Sequence, residues 1–370
     1  MTLTETASTT GAIKWHPGHY AWYVPGAVNG VSGYRIDLAT HRDSILTFID
    51  SIANEPTIKG IQVAVYWRAL EGNTAGDYSA GFAALDALLA RCAKYNKRLM
   101  ISFQPVVFGN YAAITDVFPA YLVNGSNYGI SNLNPGTGAA ARVWQSATMD
   151  RLIALTQAYG ARYNGHANFE MFSSGETALQ IVESGFSNQA LLTQLQRFIP
   201  AARAAFPNTA LRIEANHLDP DSLMTSLYAS CAKYACSIGG PDIWPADVTQ
   251  ADRVFAGLDS NHKSVYIDYR EQMPWTAEAQ WQSFSGNWTI AQLYNATVNG
   301  YTATDGSWNG YVMPSMKTKY IVWYANESNL AGGTSALLWR TGIIPFIRSI
   351  NGAVYSNDCP TSYSSGCNSN

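Results

Sequence analysis

Short apolar runs alternate along this chain with longer segments in which apolar residues recur every three or four positions, the pattern of repeated strand and helix units. His19-Tyr-Ala-Trp-Tyr-Val24 predicts a first strand, and Ile45, Phe48, Ile49 and Ile52 sit at helical spacing between Leu38 and Ala53. Gly60-Ile-Gln-Val-Ala-Val-Tyr-Trp67 is β-branched and ends in aromatics, as a second strand should. The helix after it, Gly81 to Asn96, places Phe82, Leu85, Leu88, Leu89 and Cys92 on one face. Arg98 to Phe103 reads as the third strand. The segment from Gln104 to Pro135 is longer than an ordinary strand-to-helix connection, which makes it a candidate wall of a cleft.

The second half continues in the same way. Helices are expected over Ala139–Tyr163, Ala190–Ala205 and Asp221–Tyr234, and strands over Asn168–Phe172, Ala210–Ala215 and Cys236–Ile238. Ser264–Asp268 reads as a seventh strand, Met316–Tyr324 as a helix and Ser335–Trp339 as an eighth strand, while Glu278–Gly310 has no clear period. Eight such units predict an α/β fold, a (β/α)8 barrel with long βα loops. The expected division is an N-terminal extension over 1–15, the barrel over 16–355 and a Ser, Asn and Cys-containing tail over 356–370.

Composition narrows the function. The 370 residues are 47% hydrophobic but only 13% charged, with a formal charge of −3, so no clustered basic field for nucleic acid is present. No apolar stretch is long enough to span a bilayer. Aromatic residues make up 12% of the chain, a supply suited to stacking on sugar rings. Met1 to Ala12 has neither a basic nor an apolar region, so no secretory signal is expected there. Action outside the cell or on a virion, and a cytoplasmic site, both remain open. Cys231 and Cys236 form one close pair and Cys359 and Cys367 another; each is spaced to close a small loop in an oxidising compartment, and Cys92 reads as a core residue. The histidines lack metal-site spacing, and neither a phosphate loop nor a nucleophile elbow occurs, so no cofactor and no metal are expected.

Catalytic groups of such barrels project from the C-terminal ends of the strands. Those ends offer Trp67, Arg68 and Glu71 after strand two, Gln104 after three, Glu176 after four, and Asn216 and His217 after five. Asp242 and Trp244 follow strand six, Tyr269, Arg270 and Glu271 follow seven, and Trp339 and Arg340 follow eight. Glu176 and Glu271 are the expected catalytic pair. Trp67, Arg68, Gln104, Asn216, His217, Asp242, Trp244, Tyr269, Trp339 and Arg340 are expected to bind substrate. Each has a structural reading beside it: Glu71 pairing within a loop, the tryptophans packing in the core, and Glu170 and Glu214 as buried hydrogen-bonded carboxylates.

Three stretches resemble the retaining glycoside hydrolases of the barrel clan that includes cellulases and β-galactosidases. They are Trp67-Arg-Ala-Leu-Glu71 with Gly76-Asp-Tyr78, Asn164 to Phe169 running into Ser173-Ser-Gly-Glu176, and Val265 to Glu271. The resemblance implies an acid/base carboxylate after strand four, Glu176, and a nucleophile after strand seven, Glu271. It implies double displacement between carboxyl groups about 5–5.5 Å apart. It departs from the family at Gly175, where members commonly carry an Asn that binds the sugar 2-hydroxyl; Asn216 or His217 would supply that contact, or the substrate binds differently. The expected partner is an oligo- or polysaccharide, a bacterial exopolysaccharide or cell-surface glycan cut internally, as a phage depolymerase would do. The competing expectations are a glycan-binding barrel without activity and a polysaccharide lyase built on Tyr269, His217 and Arg68.

Overall fold

The computed structural model describes residues 11–23, 38–109, 111, 113–134, 136–216, 218, 220–240, 275–279, 289–302, 312–313, 315, 317–325 and 339–370. Eight parallel strands close a barrel: β1 (Gly18–Tyr23), β2 (Ile58–Tyr66), β3 (Arg98–Gln104), β4 (Phe169–Glu176), β5 (Ala210–Glu214), β6 (Ser237–Gly240), β7 (Trp275–Ala279) and β8 (Tyr320–Ala325). β8 pairs with β1 from Tyr320↔Gly18 to Ala325↔Tyr23, which closes the ring. Helices α1 (Leu38–Ser51), α2 (Ser79–Lys94), α3 (Ser146–Tyr163), α4 (Asn188–Ala205) and α5 (Asp221–Lys233) stand between successive strands. Their apolar stripes pack on the barrel: Leu85, Leu88, Leu89 and Cys92 of α2 are buried, as are Leu191, Leu192, Leu195 and Phe198 of α4.

The first six strands fall where the apolar pattern puts them, and the last two do not. The barrel's seventh position is filled by Trp275–Ala279, and the expected strand Ser264–Asp268 lies outside the described residues. Tyr320-Ile-Val-Trp-Tyr-Ala325, expected as part of a helix, is the eighth strand, buried along its whole length. A run that is apolar at every position carries no period, and its β-branched and aromatic content decides for a strand with both faces covered. Of the expected eighth strand only Trp339 is described, and it opens a π-helical turn, Trp339–Ile343. Ala139 also leaves its expected helix: residues 138–141 form a strand, and α3 starts at Ser146. That strand pairs antiparallel with Val106–Phe108 and Ile130–Asn132, so the long segment after β3 carries its own small sheet.

The N-terminal end of the barrel is plugged. Ile13 and Lys14 pair with Cys367 and Asn368, and Cys359 and Cys367 are joined by a disulfide. Behind this clasp the Lys14 ammonium donates to the carbonyls of Asn164 (2.8 Å) and His166 (2.9 Å). Burial pushes Lys14 down to about 8, against the opposing pull of Glu170. Cys92, Cys231 and Cys236 are buried free thiols.

Candidate active site

Inside the barrel, strands β3, β4 and β5 present a polar column. Glu214, the last residue of β5, is 1% exposed and accepts from four donors: Arg212 Nη2 and Ser102 Oγ at 2.5 Å each, Gln104 Nε2 at 2.9 Å and Ser173 Oγ at 3.2 Å. Arg212 Nε donates to Ser173 Oγ as well. Residues two apart share one face of a strand, so Ser102 with Gln104 and Arg212 with Glu214 converge on the axis. A carboxylate so fully engaged is a fixed anchor for the layer beneath the rim.

Beside it, on the neighbouring strand, stands Glu176, the last residue of β4, in register with Glu214 after a bulge between Ser174 and Glu176. The bulge residue is Gly175, and a side chain there has no room. An added Cβ would collide with Pro105 Cδ and stand 2.8 Å from the Phe103 carbonyl and 2.9 Å from Gln104 Oε1. Asn216, just beyond β5, donates from Nδ2 to Glu176 Oε2 at 3.1 Å. Its Oδ1 accepts from the backbone N–H of Ala178 at 2.9 Å, and its own N–H donates to Thr177 Oγ1 at 2.7 Å. Of the residues named from the sequence, Gln104, Glu176 and Asn216 therefore meet at the C-terminal end of the barrel. Ser102, Ser173 and Arg212 join them, readable in sequence only once β3, β4 and β5 are known to be neighbours.

Trp67 takes its structural reading rather than the expected sugar platform. It is fully buried at the start of a short helix (Trp67–Leu70), edge-on to Phe103 at 5.3 Å, with its indole N–H donated to Glu71 at 2.7 Å. Trp339 is 1% exposed and lies against Phe48 of α1, with Arg340 exposed beside it. Both rings are buried, and both occur where the chain has already left its strand for a helical turn. Glu71 pairs in its loop with Trp67 and the Gly76 N–H, as expected, and also reaches Tyr121 in the segment after β3 and Arg151 of α3. Arg68 is half-buried on the same short helix.

Glu170 lies at the opposite end of the barrel, fully buried, where it accepts from the His16 N–H (2.9 Å) and Tyr320 OH (2.8 Å) and faces His16 Nδ1 at 2.7 Å. Burial pushes its carboxyl up, but the His16 and Tyr320 bonds together outweigh that and hold it below the usual carboxylate range. His217, Asp242, Trp244, Tyr269 and Glu271 lie outside the described residues. Among the described residues no group of three His, Cys, Asp or Glu could hold a metal ion, and no helix is long and apolar enough to cross a membrane.

A closed barrel with carboxylates and amides gathered at the C-terminal ends of its strands defines the class: a (β/α)8 barrel whose rim carries a polar site. Solved structures that share this fold include glycoside hydrolases. Two structures of GH5_18 from Streptomyces cattleya match with a TM-score of 0.55 and 13% identity. One, a variant in complex with Manb1-4GlcNAc, is matched over 89% of this chain and 76% of its own; the other, in complex with GlcNAc, over 90% and 76%. A protein described as a glycoside hydrolase matches at 0.44 with 12% identity, over 87% of this chain and 96% of its own. No family model matches the sequence, and no curated protein does. At this identity the likeness establishes the fold.

Proposed function

We propose that this protein is a retaining glycoside hydrolase that cuts within a polysaccharide, an exopolysaccharide or cell-surface glycan. The observation that carries the reading is Glu176, at the C-terminal end of the fourth barrel strand with its carboxylate held by Asn216. Glu176 is the acid/base: it protonates the leaving oxygen, then deprotonates the water that releases the sugar. Beside it, Glu214 and Arg212 of β5 bond Ser102 and Gln104 of β3 and Ser173 of β4, which ties the three strands together. The long segment after β3, which carries its own small sheet, supports the reading because a loop of that length suits a cleft wall.

The second carboxylate belongs to the seventh strand. Two residues qualify: Glu271, four positions before β7 begins, and Glu278, within β7 and in register with Val322 of β8. Catalytic side chains in these barrels lie at the C-terminal end of a strand, which favours Glu278 now that β7 is Trp275–Ala279. The sugars bound by the Streptomyces cattleya structures, Manb1-4GlcNAc and GlcNAc, make mannose- and N-acetylglucosamine-containing oligosaccharides the first to try.

The test is reducing-end release from a panel of bacterial exopolysaccharides and such oligosaccharides, with Glu176→Gln, Glu271→Gln and Glu278→Gln beside wild type. We expect Glu176→Gln and Glu278→Gln each to lose at least about 100-fold, the order a positioned acid or base contributes, and Glu271→Gln to keep its rate. Undiminished release by Glu176→Gln would sink the assignment. Binding without release in wild type would make this a glycan-recognition barrel.

A further inference from the structure

The chain leaves α5 for β6 through a turn that brings two thiols together. Tyr234 caps the helix and Ala235 takes the left-handed conformation, φ 55°. The Ala235 N–H bonds the Ala232 carbonyl, and the Cys236 N–H bonds the Cys231 carbonyl at 2.9 Å. This is the Schellman arrangement, in which the side chains at the two ends of the longer bond pack on each other. Those side chains are Cys231 and Cys236, both buried, with their thiols in hydrogen-bonding contact. Standard backbone dimensions leave the two Cα atoms at most about 6.8 Å apart across that bond, within the about 4.4–6.8 Å that disulfides span.

The turn is held from outside as well. Ala235 bears a Cβ where glycine is usual, and Arg203 of α4 fixes it there. Arg203 Nε donates to the Tyr234 carbonyl at 3.0 Å and Nη2 to that of Ala235 at 2.7 Å, while Nη1 reaches the carbonyls of Phe206 and Thr209 before β5. Contact with Cys231 pulls the Cys236 thiol below its ordinary value against the push of burial, and the Arg203 guanidinium adds to the pull. Burial pushes Cys231 up. The pair therefore has a nucleophile, Cys236, with a resolving thiol beside it. The bridged tail pair, Cys359 and Cys367, belongs to an oxidising compartment, so an oxidant is at hand for a second pair.

We propose that Cys231 and Cys236 are a second disulfide site, closed during folding by exchange with a small disulfide such as oxidised glutathione, and that the bridge pins the turn between α5 and β6. Closure precedes burial, because thiols sealed in the core are out of an oxidant's reach. The Cys236 thiolate attacks one sulfur of the small disulfide, whose S–S bond breaks and releases one glutathione thiolate. The Cys231 thiolate then attacks the Cys236 sulfur, forming the protein disulfide and releasing the second glutathione. Two electrons and two protons leave the protein and end as two glutathione thiols. None of this draws on the proposed hydrolase activity.

Trypsin reads the bridge directly, since Lys233 lies between the two cysteines. Full-length protein is refolded from the reduced state at the glutathione ratio that closes Cys359–Cys367, blocked with iodoacetamide after unfolding, and digested. Peptides 213–233 and 234–253 should stay joined until reduced, with the blocking group on Cys92 alone. Separate peptides, each blocked, beside a bridged tail overturn the proposal, as does either cysteine joined to Cys92 or to glutathione. The same digest of full-length protein secreted into an oxidising medium gives the reading without refolding.

Pinning is read by hydrogen exchange in a chain carrying Cys359→Ser and Cys367→Ser, so that the tail is open throughout. The Cys236 amide, which donates across the turn, should exchange at least about 10-fold more slowly after oxidation than in protein kept reduced. Equal rates in the two overturn the pinning.

Discussion

Gly175 shows how one residue is chosen by its neighbours. Its backbone is not in the left-handed region, so its conformation does not demand glycine; the Pro105 ring and the Phe103 carbonyl do. Gly175→Ala should therefore act as overpacking, costing about 1–3 kcal/mol and shifting the strand that ends in Glu176. A urea midpoint unchanged from wild type would show that the bulge yields freely. At the same scale Glu176 and Asn216 were legible from strand ends alone, and so was the departure at Gly175 from the family pattern. The reason for that departure was not, because the atoms excluding a side chain sit on another strand. Trp67 shows the converse error. Its place in the sequence, closing a strand, suited a sugar platform, yet the chain turns into a helix there and carries the ring into the core.

Between elements, Glu71 ties three pieces of chain together. Its buried carboxylate holds Trp67 of the short helix, Tyr121 of the segment after β3 and Arg151 of α3, the last in a 2.5 Å ion pair. Removing one partner of a buried pair strands the other's charge, so Glu71→Ala should cost about 3–5 kcal/mol. The segment between β3 and α3 should also open to protease before the barrel unfolds. Thermal unfolding with limited proteolysis checks both effects, and cleavage elsewhere first would show that Glu71 does not hold this wall. Most elements were legible because an amphipathic helix and a β-branched strand announce their own period. β7 was not: Trp-Thr-Ala-Glu-Ala has no strong strand signature, and its state depends on pairing with β6 and β8 on either side.

For the whole molecule, the two ends of the chain close one end of the barrel. The strand at Ile13–Lys14 is held by Cys367–Asn368, and the tail folds back so that Tyr363 packs edge-on against Trp15 at 5.7 Å. The disulfide between Cys359 and Cys367 restricts the unfolded tail. Cys359→Ser, or reduction of wild type, should lower stability by about 2–3 kcal/mol by the chain-entropy argument and loosen the N-terminal strand with it. Unfolding curves with and without reductant decide this, and identical curves would show that the tail is held by packing alone.

The sequence by itself determined the class of the fold, six of the eight barrel strands and the rim residues Gln104, Glu176 and Asn216, because period and strand ends are local properties of the chain. Tertiary structure alone decided which apolar runs complete the barrel, which tryptophans are core, and that Ser102, Ser173, Arg212 and Glu214 form one network. Those are relations between strands far apart in sequence, and only closure of the sheet brings them within hydrogen-bonding reach.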